Sequence, residues 1–136
     1  MAELFQFELV SPERQLLSEQ VVEVIVPGTE GEFGVLKNHS PFMSTIKPGL
    51  LKVRAQDGGA LTEYFVRGGF ADVAPGGLTV LAEQAIPVAD LDRDELAQQI
   101  KNAEEDLKDA KDDDSRLKAS DLLSQLNDVQ NAIIPA

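Results

Sequence analysis

The sequence predicts an antiparallel β-sandwich over residues 1–87, followed by a two-helix antiparallel hairpin over residues 88–136. Three observations carry this. Up to Pro87, short β-branched or apolar segments alternate with glycine-rich turn signals. Between residues 90 and 134 there is neither glycine nor proline, and apolar residues recur at helical spacing. Midway through that second half, three adjacent acids interrupt the apolar stripe.

Residues 5–10, 21–26, 50–54 and 61–66 read as strands because each is short and rich in β-branched or apolar side chains. Asp57-Gly58-Gly59 separates two of them, Arg67-Gly68-Gly69 follows the last, and Pro75-Gly76-Gly77 precedes a further strand at 78–81. Short strands punctuated this closely indicate a sandwich or barrel. Charge in this half is mixed, with eleven acids and six bases.

In the second half, Leu91, Leu96, Ile100, Ala103, Leu107 and Ala110 form one stripe. Ala119, Leu122, Leu126, Val129 and Ile133 form another, at steps of 3, 4, 3 and 4. Lys111-Asp112-Asp113-Asp114-Ser115 lies between them and offers an Asp or Ser N-cap, so the helix is expected to break there. Each apolar seam is narrow, and helices of this length gain most of their stability from tertiary packing.

Composition excludes several chemistries. The chain has no cysteine, which removes disulfides, thiolate metal sites and thiol nucleophiles. Hydrophobic residues make up 43% of it, enough for a packed core. Acids outnumber bases 24 to 12, for a net charge of -12. That opposes nucleic acid and anionic lipid, both of which need clustered Lys and Arg. Met1-Ala2-Glu3-Leu4 lacks the pattern of a signal peptide. No apolar run approaches the roughly 20 residues that cross a bilayer, so direct membrane insertion is not expected.

Residues 28–41 (GTEGEFGVLKNHSP) hold the most suggestive motif: three glycines at three-residue intervals, two carboxylates and the single histidine. A phosphate cradle would need a following helix and a Lys, but Phe33, Val35 and Leu36 continue as a strand, and Glu30 and Glu32 repel an anion. On a strand those two carboxylates would share a face, about 6.5–7 Å apart. A catalytic pair at that distance also needs a deep cleft, which a chain this small has little material to build. His39 and Ser40 are adjacent, so on extended backbone they point apart. The remaining reading is an exposed contact loop in which glycine permits close approach. Phe42 and Val35 fit either sandwich core or contact surface, and the residue chemistry names no partner.

The whole chain resembles the epsilon-subunit family of F-type ATP synthases, called delta in mitochondria. Val26-Pro27-Gly28-Thr29-Glu30-Gly31-Glu32-Phe33-Gly34-Val35 is similar to the family's V-x-G-x-E-G-x-x-G-I/V stretch. Asn38-His39-Ser40-Pro41, Ile46-Lys47-Pro48-Gly49, Gly68-Gly69-Phe70 and Val80-Leu81-Ala82-Glu83 follow in the family's order. The resemblance implies a sandwich of about ten strands and a non-catalytic central-stalk rotor subunit, without cofactor or metal. It implies a location at the cytoplasmic face of the cell inner membrane, as a peripheral component. The subunit would link the gamma subunit to the c-ring and couple proton translocation to ATP synthesis. Gly28, Thr29, Glu30, Gly31 and Glu32 would meet the c-ring, and His39, Ser40, Pro41 and Phe42 would meet gamma.

The resemblance also exposes a departure. The family's ATP motif begins I/L-D-x-x-R, and Leu91 and Asp92 match, but Glu95 stands in place of the arginine. A carboxylate there repels a triphosphate, so weak or absent ATP binding is expected. The family's second helix carries basic residues that meet the catalytic beta subunit. Residues 91–136 hold twelve acids and six bases, with no Lys or Arg after Lys118. At most weak inhibition of hydrolysis by the hairpin follows. The alternatives are a free-standing small-molecule-binding regulatory sandwich and, less economically, a small hydrolase built on Glu30 and Glu32.

Overall fold

A computed structural model describes residues 3–133; residues 1–2 and 134–136, the outer ends of the two expected domains, lie outside the described residues. The chain divides into two compact units, Met1–Pro87 and Val88–Ala136.

The first unit contains ten strands: β1 (Phe5–Val10), β2 (Gln15–Val21), β3 (Glu23–Gly28), β4 (Gly31–Val35), β5 (Phe42–Thr45), β6 (Gly49–Arg54), β7 (Leu61–Arg67), β8 (Phe70–Ala74), β9 (Gly77–Leu81) and β10 (Gln84–Pro87). They form two five-stranded sheets, β2-β1-β9-β8-β5 and β10-β7-β6-β3-β4, as the predicted sandwich requires. The strand pairs are antiparallel apart from β1 and β9, which run parallel with Phe7 opposite Leu78 and Leu9 opposite Val80.

Period-two alternation builds the core. On β1, Phe5, Phe7 and Leu9 are buried while Gln6, Glu8 and Val10 are half-buried. Phe7 and Leu9 share the interior with Val24, Val26, Leu51, Val53, Leu78 and Val80 from both sheets. Each such side chain contributes roughly 1.5–3 kcal/mol when fully buried.

The chain changes sheet repeatedly, and this explains where the strand boundaries fall. A single strand over 21–26 is replaced by an end to β2 at Val21 and a start to β3 at Glu23. Val21 and Val22 are both buried, which alternation within one strand would forbid, because the chain passes between sheets there. Likewise, Gly68-Gly69 closes no hairpin; it carries the chain from β7 in one sheet to β8 in the other.

The second unit opens with a 3-10 turn at Val88–Asp90, followed by α1 (Arg93–Asp109) and α2 (Asp113–Ile133). The two helices pack against each other. Their break falls within the expected acidic segment. Asp112 accepts the Ser115 N–H at 2.7 Å and so caps α2. That backbone hydrogen bond holds the Asp112 carboxyl below its usual range. Leu96, Ile100 and Ala103 of the first stripe and Ala119, Leu126 and Val129 of the second are buried. Among the described residues no helix is long and apolar enough to cross a membrane.

Candidate functional site

The three-glycine motif folds as the hairpin of β3 and β4, with Gly28 opposite Gly31 and Thr29-Glu30 forming the turn. The glycines have different reasons to be there. A Cβ on Gly28 would lie 2.8 Å from the Gly31 carbonyl oxygen and 3.0 Å from both Phe33 and Ser44. Gly31 has φ +133°, a region that side-chain-bearing residues rarely enter. A Cβ on Gly34 meets nothing within 4 Å. The motif thus encodes a tight turn, and it leads into a strand where a phosphate loop would lead into a helix.

Glu30 lies in the turn and Glu32 on β4, so the two carboxylates do not share one strand face as a catalytic pair there would. Both are exposed.

The turn is tied to the far end of β5. The Thr29 N–H donates to the Thr45 carbonyl at 3.0 Å, and the two threonine hydroxyls share a hydrogen bond of 2.7 Å. Gly28 bridges to Ile46, and the Lys47 N–H donates to the Pro27 carbonyl at 3.0 Å. The Ile46 N–H donates to the Gly69 carbonyl at 3.0 Å, joining two of the sheet-switching segments.

Residues 36–41 form the loop at the other end of β4, about 20 Å from the turn by strand rise. Asn38 adopts φ +69° there, and the His39 N–H donates to the Leu36 carbonyl at 3.2 Å. His39 Nδ1 lies 2.7 Å from the Ser40 carbonyl oxygen, which can only accept. In this contact Nδ1 is the donor, so its N–H is directed at backbone. His39 also borders a hollow of about 320 Å³ with Leu4, Leu36, Asn38 and Pro75.

Val35 and Phe42, which fit core or surface equally in the sequence, separate here. Val35 is buried, whereas Phe42 is 45% exposed. Its ring meets Phe33 edge-on, at 5.1 Å and 86°.

The sequence reading missed an apolar row on the outer face of the first sheet. Phe70 on β8 pairs with Leu81 on β9, and Leu81 with Val10 on β1. Phe70 also faces Thr45 on β5, two residues beyond Met43, which is 62% exposed. Val10, Pro12, Phe70 and Leu81 line a hollow of about 560 Å³ beside Gly69. Alternation held the signal: once Ala71, Val73, Leu78 and Val80 point inward, Phe70 and Leu81 must point outward.

The Leu91-Asp92 motif has a local structural role. Asp92 caps α1, its carboxylate accepting the Asp94 N–H at 2.8 Å while its carbonyl accepts the Leu96 N–H at 3.1 Å. Glu95, three residues after the cap, is exposed where an acid favours the positive end of the helix. Among the described residues no three His, Asp or Glu side chains gather as a metal site.

Residues 4–88 match the family model of the ATP synthase Delta/Epsilon chain, beta-sandwich domain. The chain is 55% identical over 136 residues to the ATP synthase epsilon chain of Mesorhizobium japonicum, spanning all of both chains. It is 51% identical to that of Brucella canis, again over the full length of both. With the Parvibaculum lavamentivorans epsilon chain it shares 47% identity, over 98% of this chain and all of the relative. Among solved structures, a chain of the Euglena gracilis mitochondrial ATP synthase, determined with OSCP, F1 and the c-ring, superposes with a TM-score of 0.78 at 26% identity, covering 96% of this chain and 82% of that one. A chain of the Tetrahymena thermophila mitochondrial ATP synthase central stalk and c-ring shares the fold, with a TM-score of 0.76 at 13% identity and 98% of each chain covered.

The glycine geometry makes a graded expectation. Gly28→Ala and Gly31→Ala should each lower the stability of the chain by about 1–3 kcal/mol, the first by collision and the second by strain. Gly34→Ala should stay within about 0.5 kcal/mol of the parent. Denaturant melts of the three variants check the order; equal losses at all three positions would refute it.

Proposed function

The chain belongs to the delta/epsilon chain family of ATP synthases, and from that premise we propose that it is a non-catalytic subunit of the rotor's central stalk, linking gamma to the c-ring. In this role it couples proton translocation to ATP synthesis from the cytoplasmic face of the inner membrane, as a peripheral component. We read its two compact units as separate domains, a coupling sandwich and a helical appendage.

The observation that carries the reading is the exposed apolar row on the outer face of the first sheet, with Phe42 exposed on the opposite face of β5 beside Phe33. Met43, Phe70 and Leu81 together cost solvation that a free monomer has no reason to bear. A protein partner removes that cost. We assign this row to gamma, together with His39, Ser40, Pro41 and Phe42 where the chain enters β5. The turn from Gly28 to Glu32 presents exposed polar and acidic groups, which suit the polar loops of a c-ring. Glu32, held on β4 beside Pro27, is the residue we assign to the ring contact.

For the hairpin we propose no regulatory nucleotide and at most weak inhibition of hydrolysis. Asp92 is already engaged by its own helix, and Glu95 places a carboxylate where a triphosphate would sit. The acid excess of residues 91–136 opposes docking on an acidic partner surface.

Three measurements bear on this. Mixed at micromolar concentration with gamma from its own organism, the chain should co-elute as a one-to-one complex, and Phe70→Asp should weaken that complex at least about tenfold. Separate peaks at low and moderate salt would remove the rotor assignment. Calorimetric titration with ATP should detect no binding tighter than about 1 mM, equivalent to about 4.1 kcal/mol. Deleting residues 91–136 should leave ATP hydrolysis by the assembled enzyme nearly unchanged, and a several-fold rise would show that the hairpin is an effective brake.

A further inference from the structure

We infer that Thr29 and Thr45 form a positioning pair that presets the β3–β4 turn for docking, an inference that rests on the rotor reading above. Their hydroxyls lie 2.7 Å apart and their backbones are joined by the Thr29 N–H to Thr45 carbonyl bond at 3.0 Å. The two residues are sixteen positions apart in sequence and belong to segments of different sheets. Both are exposed, so neither hydroxyl is needed to fill the core or to satisfy a buried group.

In solution either hydroxyl could bond to water almost as well, so the pair adds little to folding. What it adds is geometry. A β-branched side chain has restricted χ1, and a bond between two of them removes the remaining freedom at each. The backbone bond fixes where the turn sits, and the hydroxyl bond fixes how Thr29 presents itself. Next to Thr29 in the turn is Glu30, followed by Gly31 at φ +133° and then Glu32. A turn already held in its docking geometry loses less entropy when it binds.

Thr45 also ends the strand that carries Phe42 and Met43, and it faces Phe70. The clasp therefore joins the turn assigned to the c-ring to the surface assigned to gamma through one four-residue strand. A partner that shifts β5 along its length shifts the turn with it.

The test uses the full chain, titrated into membrane vesicles whose ATP synthase has been stripped of this subunit. The readout is the concentration that restores half of the ATP-driven proton uptake. Thr45→Val and Thr29→Val keep the branched shape and lose the hydroxyl; each should raise that concentration about 3- to 10-fold. Thr45→Ser should restore the wild-type value. The double Val variant should be no worse than either single one, because both remove the same bond. Melting temperature and co-elution with gamma should stay at the wild-type level in all of them.

Val variants that restore uptake at the wild-type concentration would overturn the inference, as would losses that add in the double variant. So would a loss that appears only alongside a lowered melting temperature, because the pair would then be structural. If the wild-type chain itself fails to join gamma, the rotor reading falls and this inference with it, before any variant is made.

Discussion

One end of the sandwich depends on a set of backbone hydrogen bonds made where the chain crosses between sheets. The Ile46 N–H reaches the Gly69 carbonyl, the Lys47 N–H reaches Pro27, and the Ala82 N–H reaches the Val10 carbonyl at 2.9 Å. Every crossing removes peptide groups from a regular ladder, and buried peptide groups without partners are costly. Here the crossings bond to one another, as Ile46 does to Gly69, or to the ends of neighbouring strands, as Lys47 does to Pro27 and Ala82 to Val10. The consequence extends beyond stability: the turn at Thr29-Glu30, the end of β5 and the apolar hollow beside Gly69 all take their positions from these bonds. A loop that would otherwise be free to move is held as part of the scaffold.

The two units use charge differently. In the sandwich, acids and bases are interspersed, and Arg54 pairs with Glu23 at 3.2 Å between neighbouring strands while both remain partly buried. In the hairpin, two ion pairs lie within the first turns of α2, Arg116 with Asp113 and Lys118 with Asp114, and both are exposed. Pairs of that kind contribute about 0–1 kcal/mol and leave the acid excess in place. The hairpin consequently relies on its apolar seam and its aspartate caps. Asp92 and Asp112 each begin a helix by accepting backbone N–H groups. A residue that looks like the remnant of a nucleotide motif thus has a sufficient local reason to be aspartate.

Legibility followed the type of information each residue carries. Strands β1, β6, β7 and β9 were readable because their apolar residues are dense and their ends are marked by turn signals. Both helices were readable for the complementary reason, an uninterrupted 3.6-residue pattern with one acidic break. Strands β2, β5 and β10 were not. β5 has four residues, none of them buried, so burial leaves no alternation in it. β10 ends on proline, which disfavours a strand assignment, and it pairs only with β7. Such strands owe their conformation to a neighbour's ladder more than to their own side chains.

The two-part architecture, the absence of thiol chemistry, the acid excess and the motif order that marks the family were all legible before folding is considered. These are local or additive properties, legible from composition, period and spacing. Folding in three dimensions settled that β1 and β9 run parallel, that Gly68-Gly69 is a crossing, and that Phe42 is exposed where Val35 is buried. It alone brought Thr29 to Thr45, and it set Phe70 beside Leu81 and Val10 on one face. Each of these depends on which distant segments become neighbours, and hydrogen-bonded strand pairing fixes that only when the whole chain has folded.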